Sequence, residues 1–103
     1  MDLPLQITWR GIAHSEALDA AIRDKAAKLQ QFYERIIRCK VVVELAGRHK
    51  QRGKHFVVRV ELKLPGGDIA VNRDHDEDIH VALRDAFDAA RRKLQDFNRE
   101  HAA

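Results

Sequence analysis

The sequence predicts an α+β domain in which two helices cover one face of a four-stranded sheet. The chain has 103 residues, a length typical of one domain with one modest core. Four short segments alternate apolar and polar residues, as half-buried strands do, and two longer segments repeat apolar residues at helical spacing. Their order is β-α-β-β-β-α, and one face of such a sheet can bury the apolar stripes of both helices. We therefore interpret residues 1–103 as a single domain.

The first half of the chain predicts a strand, a helix and a second strand. The opening strand covers residues 5–10, ends before Gly11 and points three apolar residues to one side, namely Leu5, Ile7 and Trp9. Ser15 is placed to cap a helix over residues 16–33, whose apolar stripe is Leu18, Ile22, Ala26, Leu29 and Phe32. The second strand covers residues 39–45, with an inward set of Cys39, Val41, Val43 and Leu45.

The second half predicts two more strands and a long helix. The strand over residues 55–64 has an inward set of Phe56, Val58, Val60, Leu62 and Leu64. Pro65 and Gly66 predict a turn, because proline presets φ and glycine accepts a positive φ, and a short strand over residues 68–72 follows. The last helix is expected over residues 76–99, with a buried stripe of Ile79, Leu83, Ala86, Phe87, Ala90, Leu94 and Phe97. Its start holds three acids, as the helix dipole favours.

Composition favours a soluble, cytoplasmic protein. Apolar residues make up 45% of the chain and charged residues 34%. No apolar run approaches the length of a membrane span, and the N-terminal segment lacks the pattern of a signal peptide. The lone Cys39 lies in a strand-like run, so we expect a buried, inert thiol. No membrane partner is therefore predicted.

Positive charge is concentrated in the middle of the sequence. The net charge is +3, but residues 38–63 hold eight Lys and Arg against two acids. Half of these cations fall in GRHKQRGKH, residues 47–55, at the predicted tip of a hairpin. A local positive field at an exposed tip indicates a polyanionic partner such as nucleic acid. A solvated loop that keeps the protein soluble is the alternative.

Residues 72–80, NRDHDEDIH, are the segment that invites a catalytic or metal-binding interpretation. Its acids and histidines include pairs three or four residues apart, the spacing at which two ligands share one side of a helix. Acids at a helix start are also favoured by the dipole, so we predict no metal, no cofactor, no catalytic residue and no small-molecule substrate. A small metal-dependent hydrolase that uses residues 74–80 stays as an alternative.

Four collinear segments resemble a known family. They are LQITWRG, SEALDAAIRDKAAKLQQFY, LPGGDI and EDIHVALRDAFDAARRKL, which together extend from Leu5 to about Phe97. In this order and spacing they resemble the bacterial ribosome hibernation-promoting factors. These proteins are also called ribosome-associated inhibitors or subunit-interface proteins, and were formerly called sigma-54 modulation proteins.

The resemblance implies a fold and a function. Members of that family have a β-α-β-β-β-α fold similar to double-stranded-RNA-binding domains. They are not enzymes, carry no cofactor, and bind the small ribosomal subunit through its rRNA near the decoding centre, across the mRNA and tRNA sites. The resemblance therefore implies an inhibitor of translation, as a short form or an isolated N-terminal domain. The oligomeric state stays open, with a monomer favoured, and a general double-stranded-RNA-binding module outside the ribosome is an alternative.

Carrying the family's basic positions onto this chain gives a set of candidate RNA contacts. Lys25, Lys28 and Arg92 match basic positions on the two helices. Ala89 and Asp96 stand where many members have Lys or Arg, so the helical part of the footprint looks thinned and the hairpin tip enriched. The predicted RNA-binding residues are Lys25, Lys28, Arg48, His49, Lys50, Arg52, Lys54, Arg91, Arg92 and Lys93.

Overall fold

The predicted order of elements is confirmed. A computed structural model describes residues 3–46, 55–75 and 77–101. Its elements are β1 (Leu5–Arg10), α1 (Glu16–Phe32), β2 (Arg38–Ala46), β3 (His55–Leu64), β4 (Gly67–His75) and α2 (Ile79–His101). The architecture is thus α+β, with the β-α-β-β-β-α order expected from the alternating and helical patterns.

The four strands form one mixed sheet in the order β1-β2-β3-β4. β1 and β2 are parallel, with α1 as the crossover between them, and the other two pairs are antiparallel. One row of the register runs Ile7, Val41, Val60 and Val71 across all four strands. This apolar row lies on the face that the helices cover, so the sheet has one buried and one open face.

The core lies between that face and the two helices. On α1 the buried residues are Leu18, Ile22, Ala26 and Leu29, and on α2 they are Ala82, Leu83, Ala86, Phe87, Ala89, Ala90 and Leu94. Both predicted stripes are therefore confirmed, with Ala82 and Ala89 as additions and with Phe32 as an exception at 38% exposure. No polar or charged side chain is buried in the described part of the chain.

The predicted start of α2 is wrong by three residues, and β4 is longer than predicted. β4 continues to His75, whose Nδ1 accepts hydrogen bonds from the backbone N–H groups of Glu77 (3.2 Å) and Asp78 (3.1 Å). The Asp78 carboxylate accepts the backbone N–H of His80 at 2.8 Å, which places Asp78 as the cap of a helix that begins at Ile79. The acids of this segment therefore precede the helix rather than filling its first turn.

Other predicted ends have the expected chemistry. The Ser15 hydroxyl accepts the backbone N–H of Leu18 at 3.2 Å, which confirms its capping role. Gly66 has a φ of +88°, as the predicted turn requires. A Cβ atom on Gly67 would lie 3.0 Å from Cε1 of Phe97, so a glycine at this position lets β4 approach α2 closely.

Candidate nucleic-acid interface

The two predicted lysines of α1 lie beside its buried stripe. Lys28 is exposed, and its Nζ lies 3.3 Å from a carboxylate oxygen of Asp24, which is also exposed. Exposed ion pairs of this kind contribute little and are screened by salt, so Lys28 stays available to a phosphate. Lys25 is half-buried one turn earlier on the same helix. Both cations thus face outward from the helical layer.

Arg91 joins these lysines through an aromatic contact. Its guanidinium carbon lies 4.5 Å from the centroid of the Phe32 ring, a cation–π geometry that holds Arg91 toward α1. Lys28 and Phe32 are four residues apart on α1 and therefore share one side of that helix. Arg92, the next residue of α2, is exposed. We call the set Lys25, Lys28, Arg91 and Arg92 the helical surface.

Lys93 lies on a different side of α2 from Arg91. It lines a shallow depression beside the edge strand β4, together with Asp68, Asp96 and Glu100. A rotation of about 100° per residue separates neighbours on a helix, so the run of three cations cannot present one surface. The structure therefore brings Lys25, Lys28 and Arg91 together and places Lys93 among acids.

The two departures from the family's basic positions have different structural settings. Ala89 is only 4% exposed and belongs to the core. Its interpretation as a lost surface cation is therefore replaced by a packing role. Asp96 is exposed, with a carboxylate oxygen 3.6 Å from a guanidinium nitrogen of Arg99.

The predicted contacts in the hairpin tip, Arg48, His49, Lys50, Arg52 and Lys54, lie outside the described residues. The register of the flanking strands is described, and it pairs Ala46 with His55. Residues 47–54 therefore connect the paired ends of two neighbouring strands, as the sequence predicted. Their role as phosphate contacts stays a prediction.

Sequence reasoning missed a second group of cations, on the open face of the sheet. Alternation along β2 and β3 places Arg38, Lys40, Arg59 and Lys63 on this face. A hydrogen bond from Arg59, with the nearby charge of Lys40, lowers the pKa of the Glu61 carboxyl below its usual range. The signal in the sequence was the basic residue at alternate outward positions, but only the strand register shows which cations lie opposite one another.

The acids and histidines of residues 72–80 have separate tasks in the described part of that segment. Asp74 faces the open side of the sheet, with a carboxylate oxygen 4.0 Å from Nε2 of His55. His75 accepts two backbone N–H groups and Asp78 caps α2, as described above; Asp76 lies outside the described residues. Among residues 3–46, 55–75 and 77–101, no three His, Cys, Asp or Glu side chains group as a metal site would require.

The lone thiol is buried, as the sequence predicted. Cys39 has no exposed surface, and burial raises its pKa to about 12. Its thiolate, the reactive form, is therefore scarce at neutral pH. Neither helix, within its described residues, is long and apolar enough to span a membrane.

Known structures share this fold. A ribosomal subunit interface protein from Coxiella burnetii superposes with a TM-score of 0.79 at 20% identity, with 93% of this chain and 98% of that chain covered. The N-terminal domain of Protein Y from Thermus thermophilus superposes with a TM-score of 0.76 at 25% identity, with coverages of 94% and 99%. A search of the curated proteins gave no match. The fold suggested by the sequence resemblance is thus confirmed.

A family comparison gives the same result at the level of sequence. The profile described as "Sigma 54 modulation protein / S30EA ribosomal protein" matches residues 5–101, nearly the whole chain. Members of this family are ribosome-associated factors without enzymatic activity, which confirms the expectation that the protein is not an enzyme. The chain belongs to the sigma 54 modulation protein / S30EA ribosomal protein family.

Proposed function

We propose that this protein binds the small ribosomal subunit near the decoding centre and inhibits translation by occupying the mRNA and tRNA sites. The observation that carries the proposal is the family match over residues 5–101. One of the similar structures is itself a ribosomal subunit interface protein. The outward-facing cations of the helical surface agree with an rRNA partner.

The mechanism is binding without a chemical step. Lys and Arg side chains of the helical surface, and those of residues 48–54, contact phosphates and displace counterions. The shape of the folded rRNA rather than its base sequence selects the site, as is usual for structured RNA. Inhibition then follows because the protein and the tRNA cannot occupy the same space.

Co-sedimentation with purified small subunits tests the proposal. The protein should pellet with the subunits, and saturating initiator tRNA with mRNA should release it. The same pair should relieve inhibition in a cell-free translation system. Inhibition that persists at saturating tRNA would mean that the protein acts from a remote site. Equal affinity for free duplex RNA would favour the general double-stranded-RNA-binding module.

A pair of charge-matched variants connects this binding to the helical surface. Lys25→Gln with Lys28→Gln removes two cations that face outward from α1. Arg35→Gln with Arg99→Gln removes two exposed cations at the α1–β2 loop and near the end of α2. The first variant should weaken subunit binding and reduce its salt dependence more than the second, because only the first removes predicted phosphate contacts.

A further inference from the structure

The open face of the sheet carries a depression lined by cations. Its volume is about 440 Å³, and its polar lining includes Gln6, Arg38, Lys40, Arg59, Glu61 and Lys63. Helices α1 and α2 cover the opposite face of the sheet. The depression therefore lies on the other side of the molecule from the helical surface.

Three of these cations have no partner in the described part of the molecule. Arg59 hydrogen-bonds to Glu61 and so is already paired. Arg38, Lys40 and Lys63 form no ion pair with any described residue. The positive charge of this end of the sheet is therefore only partly balanced from within.

The strand register makes this arrangement unfavourable for folding alone. Arg38 on β2 lies directly opposite Lys63 on β3, and like charges at directly opposed positions destabilise a strand pair. Lys63 has one acidic neighbour, Asp68, across β4. Because stability gains nothing from the Arg38–Lys63 pair, a bound anion is the simplest physical reason for it.

The chemistry of the face selects the anion. Its outward residues around the depression are short or polar, namely Gln6, Thr8, Ala70 and Asn72, and no aromatic ring lies among the residues that line it. A nucleic-acid base would therefore find no stacking partner. Cations spread over two strands of an open surface instead suit the phosphates of an RNA backbone, which protein cations contact without reading bases.

We propose that this sheet face is a second RNA-contact surface, on which Arg38, Lys40 and Lys63 hold the phosphates of an RNA segment different from the one on the helical surface. The domain is a slab whose Cα trace is 17 Å thick along its shortest axis. Two RNA segments can therefore approach from opposite sides and enclose the protein. The inference rests on the proposed function and extends it with a second contact surface.

Tethered hydroxyl-radical cleavage tests which faces meet RNA. Ala70→Cys puts a thiol in the sheet depression, and Ala27→Cys puts one on the exposed side of α1. The wild-type protein is the control for labelling, because Cys39 is fully buried. With an iron chelate attached and small subunits bound, the two probes should cut two different sets of rRNA nucleotides.

Each outcome of this experiment has one meaning. Cleavage from Ala27→Cys alone would show that the sheet faces solvent, which overturns the inference and leaves the proposed function standing. Cleavage from neither probe, with no co-sedimentation, would overturn the proposed function itself. Two distinct sets of cut nucleotides support both.

A charge variant gives an independent measure. Arg38→Gln with Lys63→Gln should lower the log–log salt slope of subunit binding by about 0.7–0.9 for each phosphate that the variant no longer neutralises. Its melting temperature should equal or exceed that of the wild type, because a repulsive pair has been removed. The pair Arg35→Gln with Arg99→Gln is the matched control. A wild-type slope in the sheet variant, alongside a reduced slope for Lys25→Gln with Lys28→Gln, would refute the second surface.

Discussion

Replacement of Asp78 separates a structural role from a catalytic one in the acid- and histidine-rich segment. The Asp78 carboxylate accepts the backbone N–H of His80 at 2.8 Å and so caps α2. In a hydrolase the same carboxylate would instead bind a metal or move a proton. The two roles predict opposite results for stability and for function.

The expected magnitudes follow from the capping geometry. Asp78→Ala removes the cap, which costs about 1 kcal/mol of unfolding free energy, and it also removes a negative charge from the helix N-terminus, worth about 0.3–1 kcal/mol. Asp78→Asn keeps the capping oxygen and loses only the charge. For a domain of this size, about 1 kcal/mol lowers the melting temperature by about 4–8 °C. The melting temperatures should therefore fall in the order wild type, Asp78→Asn, Asp78→Ala.

The assays are thermal unfolding followed by circular dichroism and co-sedimentation with small subunits. Binding measured well below the melting temperature should stay within a few-fold of wild type for both variants, because Asp78 is not part of the helical surface. An Asp78→Ala protein that melts like wild type but no longer binds subunits would refute the capping argument. Loss of a stoichiometric metal together with function would instead support the hydrolase.

Three further outcomes are expected. Neutralising the hairpin tip should reduce the salt slope of subunit binding by about 0.7–0.9 per phosphate released with little change in melting temperature; the variant is Arg48→Gln, Lys50→Gln, Arg52→Gln and Lys54→Gln, and an unchanged slope would mean that the tip is only a solvated loop. Leu94→Ala should lower the unfolding free energy measured in urea by about 2–5 kcal/mol, because Leu94 is fully buried. The hydrogen bond from Arg23 holds the pKa of Asp19 below its usual range. This pair therefore stabilises the fold above the unfolded-state pKa, and the stabilisation is lost as the pH falls through the folded-state pKa. Arg23→Gln should accordingly lower stability at neutral pH, with a difference that disappears in acid.

The fold was predictable because its signals are local. Alternation in β1, β2 and β3 and helical spacing in α1 and α2 are each written within one segment. The start of α2 was not predictable in the same way. Acids are favoured both before a helix and in its first turn, and the choice depended on the His75 side chain accepting the backbone N–H groups of Glu77 and Asp78.

The candidate site was predictable only as a set of cations, not as surfaces. Helical geometry alone indicates that Arg91 and Lys93 point apart, but the contact of Arg91 with Phe32 depends on how α2 packs beside α1. The opposition of Arg38 and Lys63 depends on the register between β2 and β3. Contacts between segments distant in sequence decided both cases, and such contacts leave no local pattern.

The separation of stability from charge is the property that makes the proposed function testable. The described core is entirely apolar, and the cations assigned to RNA lie outside it. Neutralising a surface Lys or Arg therefore removes a phosphate contact without opening a cavity or leaving a buried polar group unpaired. For Arg38 and Lys63 the argument goes further, because folding opposes their proximity and only a bound anion offsets it. Stability that rises while RNA affinity falls is a result that a purely structural role for these residues does not produce.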